Sequence, residues 1–245
     1  MPDRRVAVVG SLNADHRVSV PHIPIAGETV LGSPVVVSAG GKGANQAVAA
    51  ARAAASARII GAIGDDRDGD VIRRALTQDN IDARHVHTIA GAQTGRAFIT
   101  VDTSGENTIV VSPGANRLLT RDAVTAGLDG LGTGDLVLLQ LETPESLVRH
   151  AARIAAAAGC TVVLNAAPAP ASLHELFDDV DVLVVNQHEL TSIAHLLSDK
   201  PRHRRDDMNL LADTAQSTVI CTAGADGALV AEWGRIEHIP AHPVQ

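Results

Sequence analysis

Three glycines within four positions surround one lysine in Ala39-Gly40-Gly41-Lys42-Gly43-Ala44-Asn45-Gln46-Ala47. Glycine admits backbone conformations that a Cβ forbids, and it lets a ligand approach the main chain. The alanine-rich run of residues 47–57 follows at once and has high helix propensity. The stretch therefore reads as a loop feeding a helix N-terminus, whose free N–H groups favour anions and polar ligand groups. It is not a Walker-type phosphate loop, because no Ser or Thr follows Lys42 and the G-x-x-x-x-G-K spacing is absent. The glycine spacing also departs from the dinucleotide fingerprint. A plain tight turn would account for the glycines, and a solvated surface lysine would account for Lys42.

Four further groups of polar residues stand at places where chemistry is done. Asn13 and Asp15 follow the apolar run of residues 5–9, past its carboxyl end. Ligands of open α/β sheets bind there. An amide plus a carboxylate offers donors and acceptors for several hydroxyls. An Asx turn leaving the strand is the competing explanation. Glu142, in Gln140-Leu141-Glu142-Thr143-Pro144, follows another apolar run, and a helix-opening carboxylate competes there. Asn186 leaves a third run, with Glu189 one turn into the next helix. Thr222-Ala223-Gly224-Ala225-Asp226-Gly227 joins two extended runs. Its glycines allow close approach to phosphate or ribose, and a simple β-turn over 225–227 would also explain them. Gly64-Asp65-Asp66 opens a helix, where carboxylates cap and favour the dipole, so no chemistry is assigned to it. The histidines are scattered without zinc spacing, and no Gly-x-Ser-x-Gly elbow occurs.

The elements that must position these residues alternate strand and helix. Strands are expected over 5–9, 57–63, 135–139, 161–164, 181–185, 218–222 and 228–232, the last followed by 235–239. Helices are expected over 67–78, 144–158, 187–197 and 208–215. Alternating βα units imply a mainly parallel sheet with helices on both faces. Residues 16–20 and 29–37 look extended and break the path from the first strand to the first helix. Residues 95–101 and 107–112 flank a hairpin-like turn over 102–106. These pieces form a candidate small separate sheet. Residues 198–207 read as a solvated loop. The reading is one domain over 1–245.

Composition narrows the partners. The formal net charge of −8 argues against nucleic acid or an anionic membrane. With only Phe98, Phe177 and Trp233 as aromatics, the core must be Ala, Val, Leu and Ile. Cys160 and Cys221 sit in apolar surroundings and read as buried free thiols rather than a disulfide framework. No apolar run reaches transmembrane length, and the N-terminus has no signal-peptide layout, so a cytoplasmic location is expected.

Gly10-Ser11-Leu12-Asn13-Ala14-Asp15, then Gly27-Glu28-Thr29, then the Gly-Gly-Lys-Gly-Ala-Asn-Gln-Ala stretch together resemble the ribokinase-like family of sugar kinases. The resemblance runs from residue 5 to the last residue. It implies transfer of the ATP γ-phosphoryl group to a sugar, with D-ribose giving ribose 5-phosphate, and it implies Mg²⁺ and a monovalent cation such as K⁺. It implies that Asn13, Asp15, Gly41, Lys42, Asn45 and Glu142 hold the sugar. Asn186, Thr222, Gly224, Asp226 and Gly227 would serve the nucleotide. Two anions repel, so Glu189 would act on the metal through water. The extended pieces at about 16–37 and 95–112 would form a lid over the sugar and the contact of a homodimer. One departure stands out. In the family the nucleotide loop is followed by Asp-Thr-x-Gly-Ala-Gly-Asp, whose last Asp is the general base and whose N–H groups stabilise the transferring phosphoryl. The chain reaches Gln245 where that motif would begin, so truncation, no catalytic residue and negligible turnover by residues 1–245 are expected. Gly130-Leu131-Gly132-Thr133-Gly134-Asp135 is a decoy that comes too early and precedes a strand. Two other functions stay open: a non-catalytic sugar-binding relative, and a kinase for another pentose, a hexose or a nucleoside.

Overall fold

The computed structural model describes residues 4–53, 55–173, 175–198 and 203–242. Its centre is β1 (Arg5–Val9), where Val6, Ala7, Val8 and Val9 are all buried. A strand apolar on both faces belongs inside a parallel sheet covered on both sides. On one flank β1 pairs in parallel with β4 (Ser56–Gly64), and β4 pairs with β5 (Asp82–Ile89). On the other flank it pairs with β8 (Leu136–Gln140), followed by β9 (Thr161–Asn165), β10 (Val182–Asn186) and β11 (Thr218–Thr222), all parallel. β12 (Ala228–Glu232) and β13 (Arg235–Ile239) complete the nine-stranded sheet as antiparallel strands. The chain thus builds outward from β1 in both directions, and the strand order reverses between β1 and β8.

Helices cover the sheet according to their apolar stripes. α1 (Lys42–Arg52) and α2 (Arg67–Gln78) pack on one face, where Ala44, Ala47, Ile72 and Leu76 join Val8, Ile59 and Ile63. Alanines on α1 let its backbone lie close to the sheet. α3 (Arg121–Leu128), α4 (Glu145–Ala157), α5 (Gln187–Leu197) and α6 (Arg204–Ala215) contribute to the core of the other face, with Val124, Val148, Ile193 and Leu211 fully or nearly fully buried. Both cysteines are buried and free. Among the described residues no helix is long and apolar enough to cross a membrane.

A second sheet of four strands stands apart from the first, in the order β3 (Val36–Gly40), β2 (Asn13–Ser19), β6 (Gly95–Val101), β7 (Asn107–Ser112). β2 pairs antiparallel with β3 and parallel with β6.

Several boundaries differ from the sequence reading, each for a local reason. The extended segment expected from residue 16 starts at Asn13 as β2, so Asn13 and Asp15, past the carboxyl end of β1, lie on that strand. Residues 20–35 contain no strand, since Pro21, Pro24, Gly27 and Pro34 interrupt any ladder. α1 starts at Lys42, so Lys42 and Asn45 belong to the helix and only Gly41 precedes it. β5 and α3 are further elements, absent from the reading because His85 and His87 and the short run over 121–128 weaken their apolar periodicity. The expected loop over 198–207 is replaced from Arg204 onward by α6, while residues 199–202 lie outside the described residues.

Candidate active site

The strand order reverses between β1 and β8, and the space beyond the carboxyl ends of these two strands, the β1–β8 crevice, is the usual ligand position in such sheets. A ladder of two amides, Gln140 buried and Gln46 partly so, spans its floor. Gln140, at the end of β8, donates from Nε2 to the Val9 carbonyl (3.0 Å) and to Gln46 Oε1 (3.2 Å). Its Oε1 accepts from Ser11 N (3.3 Å), and Gln46 Nε2 donates to the Leu139 carbonyl (3.4 Å). Strands β1 and β8 and helix α1 are thereby locked together beneath the site.

Glu142 stands above this floor. Its Oε2 accepts from Ser11 Oγ (2.6 Å), from the α1 backbone at Lys42 N (3.2 Å) and from Asn13 Nδ2 (3.4 Å). A carboxylate against free N–H groups at a helix N-terminus is electrostatically favoured. Gly43 N donates to Ser11 Oγ (3.3 Å), so the serine hydroxyl links the helix to the glutamate. Gly41 makes the approach possible. Its φ is +89°, and a Cβ there would stand 2.8 Å from Asn13 N and 2.9 Å from the Ser11 carbonyl oxygen.

Asn13 is buried, and its Oδ1 accepts from Asn116 Nδ2 (2.8 Å). Asn116 also accepts from Leu12 N (2.9 Å) and donates to the Leu12 carbonyl (3.2 Å). Asp15 lies two residues further along β2, on the same face. Among the described residues no protein group hydrogen-bonds to its half-buried carboxylate. Burial pushes its pKa up, the charge of Glu142 pushes it further, and His16 acts weakly against both. An acceptor pair without enough donors is a site prepared for hydroxyl groups.

The remaining expected residues fall into two groups. Lys42 and Asn45 sit in the first turn of α1, Lys42 half-buried and Asn45 exposed. Asn186 and Thr222 are register partners at the carboxyl ends of β10 and β11. Two strand spacings, about 10 Å, separate β8 from β10. Gly224 (φ +57°) and Gly227 (φ +86°) shape the turn from β11 into β12, which exposes Asp226. That turn closes on itself through Ala223 N to the Gly227 carbonyl (2.8 Å). The decoy over 130–135 lies at the opposite, amino edge of β8, where Asp135 accepts from Gly132 N (2.9 Å).

Asn186 and Glu189 form a reciprocal capping box on α5. Glu189 N donates to Asn186 Oδ1, and Asn186 N donates to Glu189 Oε2, both at 2.8 Å. Among the described residues the other Glu189 oxygen has no hydrogen-bond partner, on a residue 8% exposed. No group of three or more His, Cys, Asp or Glu that could hold a metal exists among the described residues. Mg²⁺ usually keeps several waters and takes only one or two carboxylates beside substrate phosphates, so the remaining Glu189 oxygen fits a role toward Mg²⁺ or its water shell.

The sequence had marked Ser11 only as part of a motif and gave no role to Gln46, Gln140 or Asn116. Polar residues buried without a charge leave little trace in composition or periodicity.

A nine-stranded, mainly parallel sheet covered by helices on both faces, with a second sheet of four strands, defines the ribokinase-like α/β class. The chain matches the pfkB family carbohydrate kinase profile over residues 3–245. It is 38% identical over 242 residues to the ribokinase of Haemophilus influenzae, covering 99% of this chain and 79% of that one. Among solved structures, the ribokinase of Thermotoga maritima superposes with a TM-score of 0.86 at 29% identity, covering 99% of this chain and 79% of that chain. The Arabidopsis thaliana ribokinase complexed with ribose and ATP superposes with a TM-score of 0.81 at 26% identity, covering 98% of this chain and 78% of that chain. The chain belongs to the pfkB family of carbohydrate kinases.

Proposed function

We propose that this chain binds D-ribose in the β1–β8 crevice and serves an ATP-dependent ribokinase reaction that yields ribose 5-phosphate and ADP. The observation that carries the reading is the Asp15 carboxylate, half-buried beside Glu142 with no protein donor among the described residues. Sugar hydroxyls supply such donors. In this reading Asn13, Asp15, Gly41, Lys42, Asn45 and Glu142 hold the sugar. Asn186, Thr222, Gly224, Asp226 and Gly227 face the nucleotide, and Glu189 orders water on Mg²⁺. Bound Mg²⁺ would neutralise phosphate charge as the phosphoryl group leaves. The names and complexes of the relatives support ribose and ATP as ligands.

The Asp-Thr-x-Gly-Ala-Gly-Asp motif does not occur within residues 1–245. The polypeptide of residues 1–245 is expected to bind ribose. Association through the four-stranded sheet is part of the same reading. Val36, Phe98, Ile109 and Val110 there are 55%, 49%, 53% and 67% exposed. Sedimentation velocity then shows a dimer, and a monomer at all concentrations contradicts it.

The test is a calorimetric panel of D-ribose, 2-deoxyribose, fructose and adenosine, run beside ADP release with ATP, Mg²⁺ and K⁺. Ribose is expected to bind most tightly. Preference for another ligand would move the substrate. ADP release near 1 s⁻¹, the low end of typical enzymes, would show a base within residues 1–245.

A further inference from the structure

Side chains alternate along a strand. Asn13 and Asp15 therefore share one face of the small sheet, and His16 points to the other. Arg96 is the register partner of Ala14, so it shares the His16 face. Both side chains reach Asp68 in the first turn of α2. Arg96 Nε donates to Asp68 Oδ2. His16 Nε2 lies 3.3 Å from the same oxygen. An ionised carboxylate only accepts, so the imidazole nitrogen is the donor. Asp68 is 8% exposed, and aspartates are almost never buried that far unless paired.

Asp66 reinforces the contact from the same turn. It caps α2 through Gly69 N (2.9 Å) and accepts from Thr94 N (3.0 Å) and Thr94 Oγ1 (2.6 Å). Its Oδ2 also stands 3.5 Å from Arg96 Nη2. Thr94 is the residue before β6 begins at Gly95. The helix N-terminus favours both negative charges. The outer part of the small sheet has little apolar packing to hold it, as the exposure of Val37, Phe98 and Val110 shows.

We propose that Asp68 is a positioning residue. By pairing with Arg96 and His16 it seats the small sheet on α2, and so fixes where Asp15, the neighbour of His16, stands over the crevice. This rests on the sugar-binding reading. With the tie cut, a smaller fraction of molecules holds Asp15 in place, and apparent sugar affinity falls by that fraction.

The experiment compares wild type with Asp68→Asn, which keeps the shape and removes the charge. It reads ribose affinity by calorimetry and amide hydrogen exchange strand by strand. The dissociation constant should rise roughly 5- to 150-fold, the usual span for coupling between a site and a remote element. Exchange should quicken in β2 and β6 and stay unchanged in β8 and β9. Arg96→Gln should do the same, the double variant should be little worse than either, and Asp68→Glu should recover part of both effects. Unchanged ribose affinity in a folded Asp68→Asn overturns the proposal, and so does lost affinity with unchanged exchange. If wild type takes up no ribose, the sugar reading fails and exchange alone decides. Quickening confined to β2 and β6 then supports the tie, and its absence overturns it. Should Asp68→Asn not fold, Arg96→Gln, whose side chain is 27% exposed, bears the same test.

Discussion

Asn116 Nδ2 donates to Asn13 Oδ1 at 2.8 Å, and this bond decides which end of the Asn13 amide the crevice receives. The carbonyl end is taken, so the amide nitrogen faces Glu142. Asn116 reaches the site from the segment after β7, far along the chain, and also pairs with both backbone groups of Leu12.

Asn116→Ala leaves those three groups buried without a partner. Each unsatisfied buried group costs about 1–3 kcal/mol. Urea unfolding should show a loss of at least that size, with weaker ribose binding in the fraction that folds. An unchanged unfolding midpoint would contradict the assigned role.

Gly41→Ala places a methyl group in a backbone conformation that L side chains rarely adopt, 2.8 Å from Asn13 N. The local cost of such a position is of order 1–3 kcal/mol. The β2 strand and the α1 N-terminus must move apart, so ribose affinity should fall together with stability. Thermal unfolding and calorimetry on the same sample check both. Full affinity in this variant would show that α1 does not abut the sugar.

Asp15 makes an opposite prediction for stability. Burial first and Glu142 second raise its pKa, so the folded state holds the proton more tightly than the unfolded state. The resulting contribution to stability is present below the ordinary carboxylate value near 4 and is lost as pH rises through the raised folded value. Asp15→Asn removes that loss. The variant should gain stability relative to wild type as pH rises from about 4 to 7, while losing ribose affinity. Urea unfolding at the two pH values measures the gap. A gap that stays constant or narrows would mean the carboxylate is not strained by its surroundings.

The general architecture was legible because it rests on strong local signals. Apolar runs such as Val6–Val9 bury both faces, and the Ala, Val, Leu and Ile core follows from the near absence of aromatics. The glycine stretch pointed to a helix N-terminus, and Gly41 does precede α1. Alternation of strands and helices also gave the mainly parallel sheet. The small sheet was less legible. Its strands join residues 82 positions apart, as in the pairing of Asn13 with Gly95, and no local pattern encodes such a partner. The supporting amides Gln46, Gln140 and Asn116 were invisible for the same reason. Their importance comes from whom they meet, not from their type. Asn186 and Glu189 teach the converse: the capping box is a local pattern, [ST]-x-x-[DE]-like in form, and the structure shows it as a helix cap.

The most direct measurement of the account is calorimetric titration of D-ribose into residues 1–245 at pH 7, wild type against Asp15→Ala. Wild type should bind one ribose per chain. Asp15→Ala should weaken binding by roughly 1–3 kcal/mol, the range for lost hydrogen bonds to a charged group, with circular dichroism unchanged. Equal affinity in the two folded proteins, or no uptake of ribose by wild type, would contradict the β1–β8 crevice as a ribose site.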